Sequence, residues 1–133
     1  MTRWTRAVGA LSLVSALAAI VACGKDGPAS SKAGELTLNL TTPFADDGAI
    51  LISVTGPEIG TVRATSSALA VHSRAVAGGV RVAVFGDIAS GSLLRIAVPD
   101  ASQSSRYSAS VIEVSDRANG VRPVLTGYKA KVE

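Results

Sequence analysis

Cysteine is all but missing from this chain: Cys23 is the only one in 133 residues. No disulfide can close within the chain, so any domain it forms must be held by burial alone. Histidine is as scarce. His72 stands alone, which excludes a site built on two histidine ligands or on a relay of several histidines. Serines are plentiful (Ser66, Ser67, Ser73, Ser90, Ser92 and the run of them between Ser102 and Ser110), but no G-x-S-x-G elbow marks a nucleophile, and they read as turn and exposed-strand residues. The aspartates Asp46, Asp47, Asp87, Asp100 and Asp116 fall in expected loops without D-x-D-x-D spacing, so they read as turn formers rather than calcium ligands. No carboxylate pair is singled out for glycoside hydrolysis. The chain is therefore expected to be no enzyme and to carry no cofactor and no metal. Beyond residue 22 the aromatics are Phe44, Phe85, Tyr107 and Tyr128, few for a face that stacks sugars. No cluster of Lys and Arg remains there either, which argues against nucleic acid, whose binding depends on neutralising many phosphates.

What is present begins at the N-terminus. Thr2-Arg3-Trp4-Thr5-Arg6 is a short basic segment, and Ala7 to Val21 is an uncharged apolar run. Together they have the order of a secretory signal. The run is shorter than the roughly 20 residues a membrane-spanning helix needs, which argues against a transmembrane anchor. It ends on Ile20-Val21-Ala22-Cys23. These four residues resemble the lipobox of bacterial lipoproteins: an aliphatic residue, a small or aliphatic one, Gly, Ala or Ser, then Cys. An ordinary secretory signal would not require its single cysteine at that position.

The resemblance implies cleavage between Ala22 and Cys23, a diacylglyceryl thioether on the Cys23 thiol and a third acyl chain, such as palmitate, on the freed amine. Each buried methylene contributes about 0.8 kcal/mol and one chain alone anchors weakly, so lasting attachment needs several. The implied partner is the membrane, through the lipid. The implied location is the bacterial cell envelope, facing the periplasm or the exterior. Gly24 after the cysteine resembles outer-membrane sorting in diderm bacteria.

Residues 1–22 are thus expected to be a signal peptide, 23–34 a lipid-anchored linker and 35–133 a folded domain. Loss of Arg3 and Arg6 with the signal lowers the net charge from +3 to +1. Gly24 to Gly34 is rich in Gly, Ser and Ala without apolar periodicity, the composition of a flexible tether. About 100 residues suffice for one domain with one core.

From Glu35 the hydrophobic period becomes two. Leu36, Leu38 and Leu40 alternate with polar residues, Ile50, Ile52 and Val54 alternate with Leu51 and Ser53, and Val80, Val82 and Val84 with Arg81 and Ala83. Leu94, Ile96 and Val98 follow, with further strands expected over 59–65, 69–77, 107–114 and 121–132. Turn signals separate them: Asp46-Asp47-Gly48, Gly56-Pro57, Gly78-Gly79, Gly86, Gly91, Pro99-Asp100 and Asn119-Gly120. Seven or eight short strands at this spacing predict an all-β, antiparallel sandwich. A hairpin turning on Gly78-Gly79 would set Ala75 against Val82 and Ser73 against Val84 on an apolar face, and His72 against Phe85 on the other. Asn119-Gly120 predicts a second hairpin joining the last two strands. From Gly78 to Asp100 the sequence GGVRVAVFGDIASGSLLRIAVPD resembles paired strands of cohesin-like and carbohydrate-module sandwiches, which implies an immunoglobulin-like or cohesin-like fold.

Phe85, His72, Leu51 and Leu93 all fall on the outward parity of their strands. If they meet, they form an apolar patch that an isolated soluble domain seldom exposes. The expected function is a membrane-anchored, non-enzymatic binding or structural module engaging a protein or other envelope partner. A carbohydrate-binding module, or a small accessory to an envelope hydrolase, is the alternative.

Overall fold

A computed structural model describes residues 31–133. The expected signal peptide, the expected cleavage pair Ala22 and Cys23, and most of the expected linker lie outside the described residues. The strands are β1 (Gly34–Thr41), β2 (Asp47–Thr55), β3 (Val62–Ala64), β4 (Ala70–Val76), β5 (Gly79–Ile88), β6 (Gly91–Val98), β7 (Ser108–Asp116) and β8 (Lys129–Val132), with a short 3-10 helix at Ala101–Arg106. They form two four-stranded antiparallel sheets, β3-β6-β1-β8 and β4-β5-β2-β7. The fold is the all-β sandwich that the period of two predicts.

The alternation explains the core. In the first sheet Leu36 lies opposite Ile96, and Leu38 lies opposite both Leu94 and Val132. In the second, Ile50, Ile52 and Val54 lie opposite Val84, Val82 and Val80. All of these are buried and form one cluster between the sheets. Each such side chain contributes about 1.5–3 kcal/mol by leaving water.

With β1 drawn upward, its first residue marks the lower end of the sandwich. There the Ala101 amide donates to the Lys32 carbonyl (2.9 Å), so the start of the 3-10 helix holds the chain just before β1. The Asp100 side chain caps that helix by accepting from the Ser102 amide, which turns the expected Pro99-Asp100 turn into a helix start. The upper end gathers the β1–β2 and β7–β8 connections and the β5–β6 turn.

The β4–β5 hairpin turns one residue earlier than its sequence suggests. Ala77 and Gly78 are the turn, Val76 pairs with Gly79, and Ala75, Ser73 and Val71 face Val80, Val82 and Val84. Positive φ occurs at Gly78 (75°), the second central residue, as in a type II turn. Gly79 is instead spent inside the strand, where an added Cβ would sit 2.0 Å from the Val54 carbonyl oxygen. The slip of two residues keeps every side chain on its expected face. It changes the partners: His72 pairs with Ala83, and Arg74 with Arg81. Ser73 and Ala75 are exposed, because β4 is an edge strand and the neighbouring β3 is short.

Two other expectations are corrected. Asn119 (φ 65°) and Gly120 do make a tight turn, but the returning chain forms only the Ser115–Val121 bridge before leaving. Pro123 has no amide to continue that ladder. The chain crosses instead to the first sheet, where β8 pairs with β1, so the long strand expected over 121–132 shrinks to Lys129–Val132. Leu93 is not on the outer surface. Leu38 faces Leu94 while Asn39 faces Ser92, which makes Leu93 the extra residue of a β-bulge, and both leucines are buried. A bulge interrupts the alternation from which outward parity was read.

Candidate functional site

The outer face of the second sheet follows from its inner one. Because Val80, Val82 and Val84 enter the core, Arg81, Ala83 and Phe85 of β5 point the other way. The ladders set three rows across the sheet. Ala70, Phe85, Ala49 and Ser115 form the uppermost row, His72, Ala83, Leu51 and Glu113 the middle one, and Arg74, Arg81, Ser53 and Ser110 the lowest. Of the four residues expected in the patch, Phe85, His72 and Leu51 come together here and Leu93 does not. Phe85 is 46% exposed. His72 reaches it diagonally, with ring centroids 6.1 Å apart and planes at 67°. Leu51 and Ala83 are half-buried and floor two shallow troughs of about 270 Å³ each, one toward Phe85 and Glu113, the other toward His72, Arg74 and Arg81.

The outer face of the first sheet is different in kind. It is polar, and Glu35 bonds Arg63 and lies 3.8 Å from Arg95, while Lys131 is 2.5 Å from Glu133. Wider clefts of about 580 and 510 Å³ lie where the edges of β7 and β8 face each other. Serines and alanines line them together with Val111, Leu125, Lys129, Lys131 and Glu133, with Tyr107 in the first and Tyr128 in the second. Both tyrosines are buried.

Parity predicts opposite costs for two β5 neighbours. Val82 is fully buried, and Val82→Ala is expected to lose about 1.5–3 kcal/mol. Phe85→Ala is expected to lose no more than about 1 kcal/mol, as exposed strand changes do. Denaturant melts of the two variants check the order.

The second constellation, at the upper end, was not visible in the sequence. Asp47, read as a turn residue, opens β2 fully buried. Its oxygens accept from the Tyr128 hydroxyl (2.9 Å to each), from Arg122 Nε and Nη2 (3.1 Å each) and from Thr42 Oγ1 (2.5 Å). Arg122 also bonds Asp46 at 2.5 Å, and its guanidinium carbon lies 4.2 Å from the centre of the Phe44 ring. Burial pulls the Arg122 pKa down, but the bonds to Asp46 and Asp47 outweigh it and the pKa is raised. Both Asp47 oxygens are engaged and sealed from solvent. This carboxylate braces the β1–β2 loop against the β7–β8 crossover.

Burial, reinforced by the bond to Asp47, pushes the Tyr128 hydroxyl above its ordinary pKa of 10.0. A phenol that resists ionisation in the folded state contributes stability that is complete below about pH 10 and is lost as pH rises through the folded value. Stability is therefore expected to fall above pH 10, and Tyr128→Phe to flatten that fall. Urea titrations at successive pH values test both.

The remaining aspartates serve locally. Asp116 Oδ1 accepts from the Ala118 and Gly120 amides, and Asp87 pairs with Arg117 at 3.0 Å. Among the described residues no group of three or more His, Cys, Asp or Glu is placed to hold a metal ion, and no helix is long and apolar enough to cross a membrane. No protein-family model matches the chain, and neither a curated protein nor a solved structure matches it.

Proposed function

We propose that this chain is a lipid-anchored, non-enzymatic binding module of the bacterial cell envelope, which offers the outer face of its second sheet to a protein partner. The observation that carries the reading is the contrast between the two faces. One is polar with paired charges; the other sets Phe85, His72, Leu51, Ala83 and Ala49 side by side, and among the described residues no element is laid over them. Anchoring rests on Ile20-Val21-Ala22-Cys23 and the Gly/Ser-rich stretch behind it. Attachment through the chain before β1 would put the lower end of the sandwich toward the bilayer and leave the face standing beside it, open to a neighbour. A protein partner is preferred to a glycan because the face carries one flat aromatic other than His72, and sugar stacking generally uses several.

In-cell cross-linking tests this. A photo-crosslinker placed at Ala83 should trap a discrete envelope protein, and the pair Leu51→Ser and Phe85→Ala should abolish the adduct at unchanged protein level. A crosslinker at Thr37, on the outer face of the first sheet, should trap nothing specific. Equal yields from the two faces would overturn the assignment.

A further inference from the structure

The lowest row of the face contains a pairing that folding does not explain. Arg74 of β4 and Arg81 of β5 stand directly opposite each other, and among the described residues neither has an ion-pair partner. Like charges directly opposite on a sheet destabilise it. The other like-charge pairs on the strands are compensated: Arg63 and Arg95 are also opposite each other but Glu35 lies against both, and of the opposed Asp47 and Asp116 the first is paired with Arg122 and the second accepts from the Ala118 and Gly120 amides. The one carboxylate on the second sheet's outer rows is Glu113, beyond Leu51 and Ala83 from His72 and one row above the arginines. Both arginines border the trough floored by Leu51 and Ala83.

We propose that Arg74 and Arg81 form an anion clamp, and that the partner is an acidic polypeptide segment that sets a carboxylate between the two guanidinium groups. This rests on the reading of the same face as the docking surface and adds the partner's chemistry. Paired guanidinium groups suit a carboxylate because each offers a planar fork of donors, and opposed forks can share its two oxygens. The row spacing then fixes a pattern. Alternate residues of a strand are about 7 Å apart, so the arginine, Leu51–Ala83 and Phe85 rows recur at that interval. An extended segment lying along β5 has the same interval. It would carry Asp or Glu at one position and apolar side chains two and four residues away, filling the troughs beside Leu51 and Phe85. The recessed floor favours a protein over an anionic bilayer. Half-buried Leu51 and Ala83 can receive a side chain but cannot project into acyl chains.

The test is selection of a random twelve-residue peptide library on the full chain purified in detergent. Selected peptides should be enriched in Asp or Glu with apolar residues at alternate positions. A representative should lose at least tenfold in affinity when its acid is changed to the amide, and should weaken with salt. Arg74→Gln with Arg81→Gln should erase that discrimination while melting no lower than the wild type, since the change relieves repulsion.

Selected peptides without acids, or discrimination that survives the double variant, would overturn the clamp. If those peptides still depend on Phe85, the docking face stands and only its charge preference falls. If they depend on neither, both fall. Arginine-dependent binding to phosphatidylglycerol vesicles without any acidic peptide would replace the clamp by a lipid contact.

Discussion

Arg122→Ala is expected to destabilise the fold strongly, because removing one partner of an ion pair leaves the other charge uncompensated where it is buried. Arg122 is a large part of what neutralises Asp47, whose side chain is wholly inaccessible while that of Arg122 is 16% exposed. Truncation leaves the carboxylate with hydroxyl donors from Tyr128 and Thr42 and no countercharge. It also removes the cation from the Phe44 ring and frees the β7–β8 crossover. Asp47→Ala should cost a similar amount, because Tyr128 then loses its acceptor in a buried site. Asp46→Ala should cost less than about 1 kcal/mol, since Asp46 is an exposed partner of the same guanidinium. Replacing the cluster together, with Asp47→Leu, Arg122→Met and Tyr128→Phe so that no buried hydroxyl is left without an acceptor, should recover much of the loss, as apolar substitutes for buried ion pairs often do. Denaturant midpoints across the four variants decide the matter. A cost for Arg122→Ala no larger than that for Asp46→Ala would show that the pair does not brace the loop.

Cys23→Ser is expected to change where the protein is found from nearly all membrane-bound to unprocessed or soluble. A serine hydroxyl cannot form the thioether that the lipobox resemblance implies, and without that step neither cleavage nor the remaining acylation follows. Because a lasting anchor depends on several acyl chains acting together, the loss should be close to complete rather than graded. Membrane fractionation with palmitate labelling reads it directly. Wild-type protein that stays in the membrane fraction without labelled lipid would sink the anchor.

The two results draw on unequal amounts of information in the chain. Inner and outer residues of β1, β2 and β5 were legible because alternation is local: Leu36, Ile52 and Val82 each declare their face through their neighbours two positions away. The same logic brought Phe85, His72 and Leu51 to one surface. It failed at Leu93, where a bulge inserts one residue and parity no longer counts. It failed again after Val121, where the sequence favours a strand but the second sheet's ladder ends and the first sheet offers an open edge beside β1. The brace was out of reach for another reason. Asp47 meets Arg122 and Tyr128 across 75 and 81 residues, and nothing near Asp46-Asp47-Gly48 distinguishes a buried acceptor from a turn aspartate. The opposed arginines needed the hairpin register to within two residues, and a turn on Gly78-Gly79 set His72 against Phe85, two residues away from the observed pairing that turns on Ala77-Gly78.

The position of β1 has a mechanical consequence. It lies between β6 and β8, with Leu38, Asn39 and Leu40 laddered on both sides, and Thr37 and Glu133 exchange a further pair of backbone bonds. Tension transmitted through the residues before Gly34 would pull β1 along its own axis. Hydrogen bonds on both flanks would then be loaded in parallel and would have to shear together, rather than open one after another as at a peeled edge. A domain pulled from that end would resist extraction through a strand held on both edges.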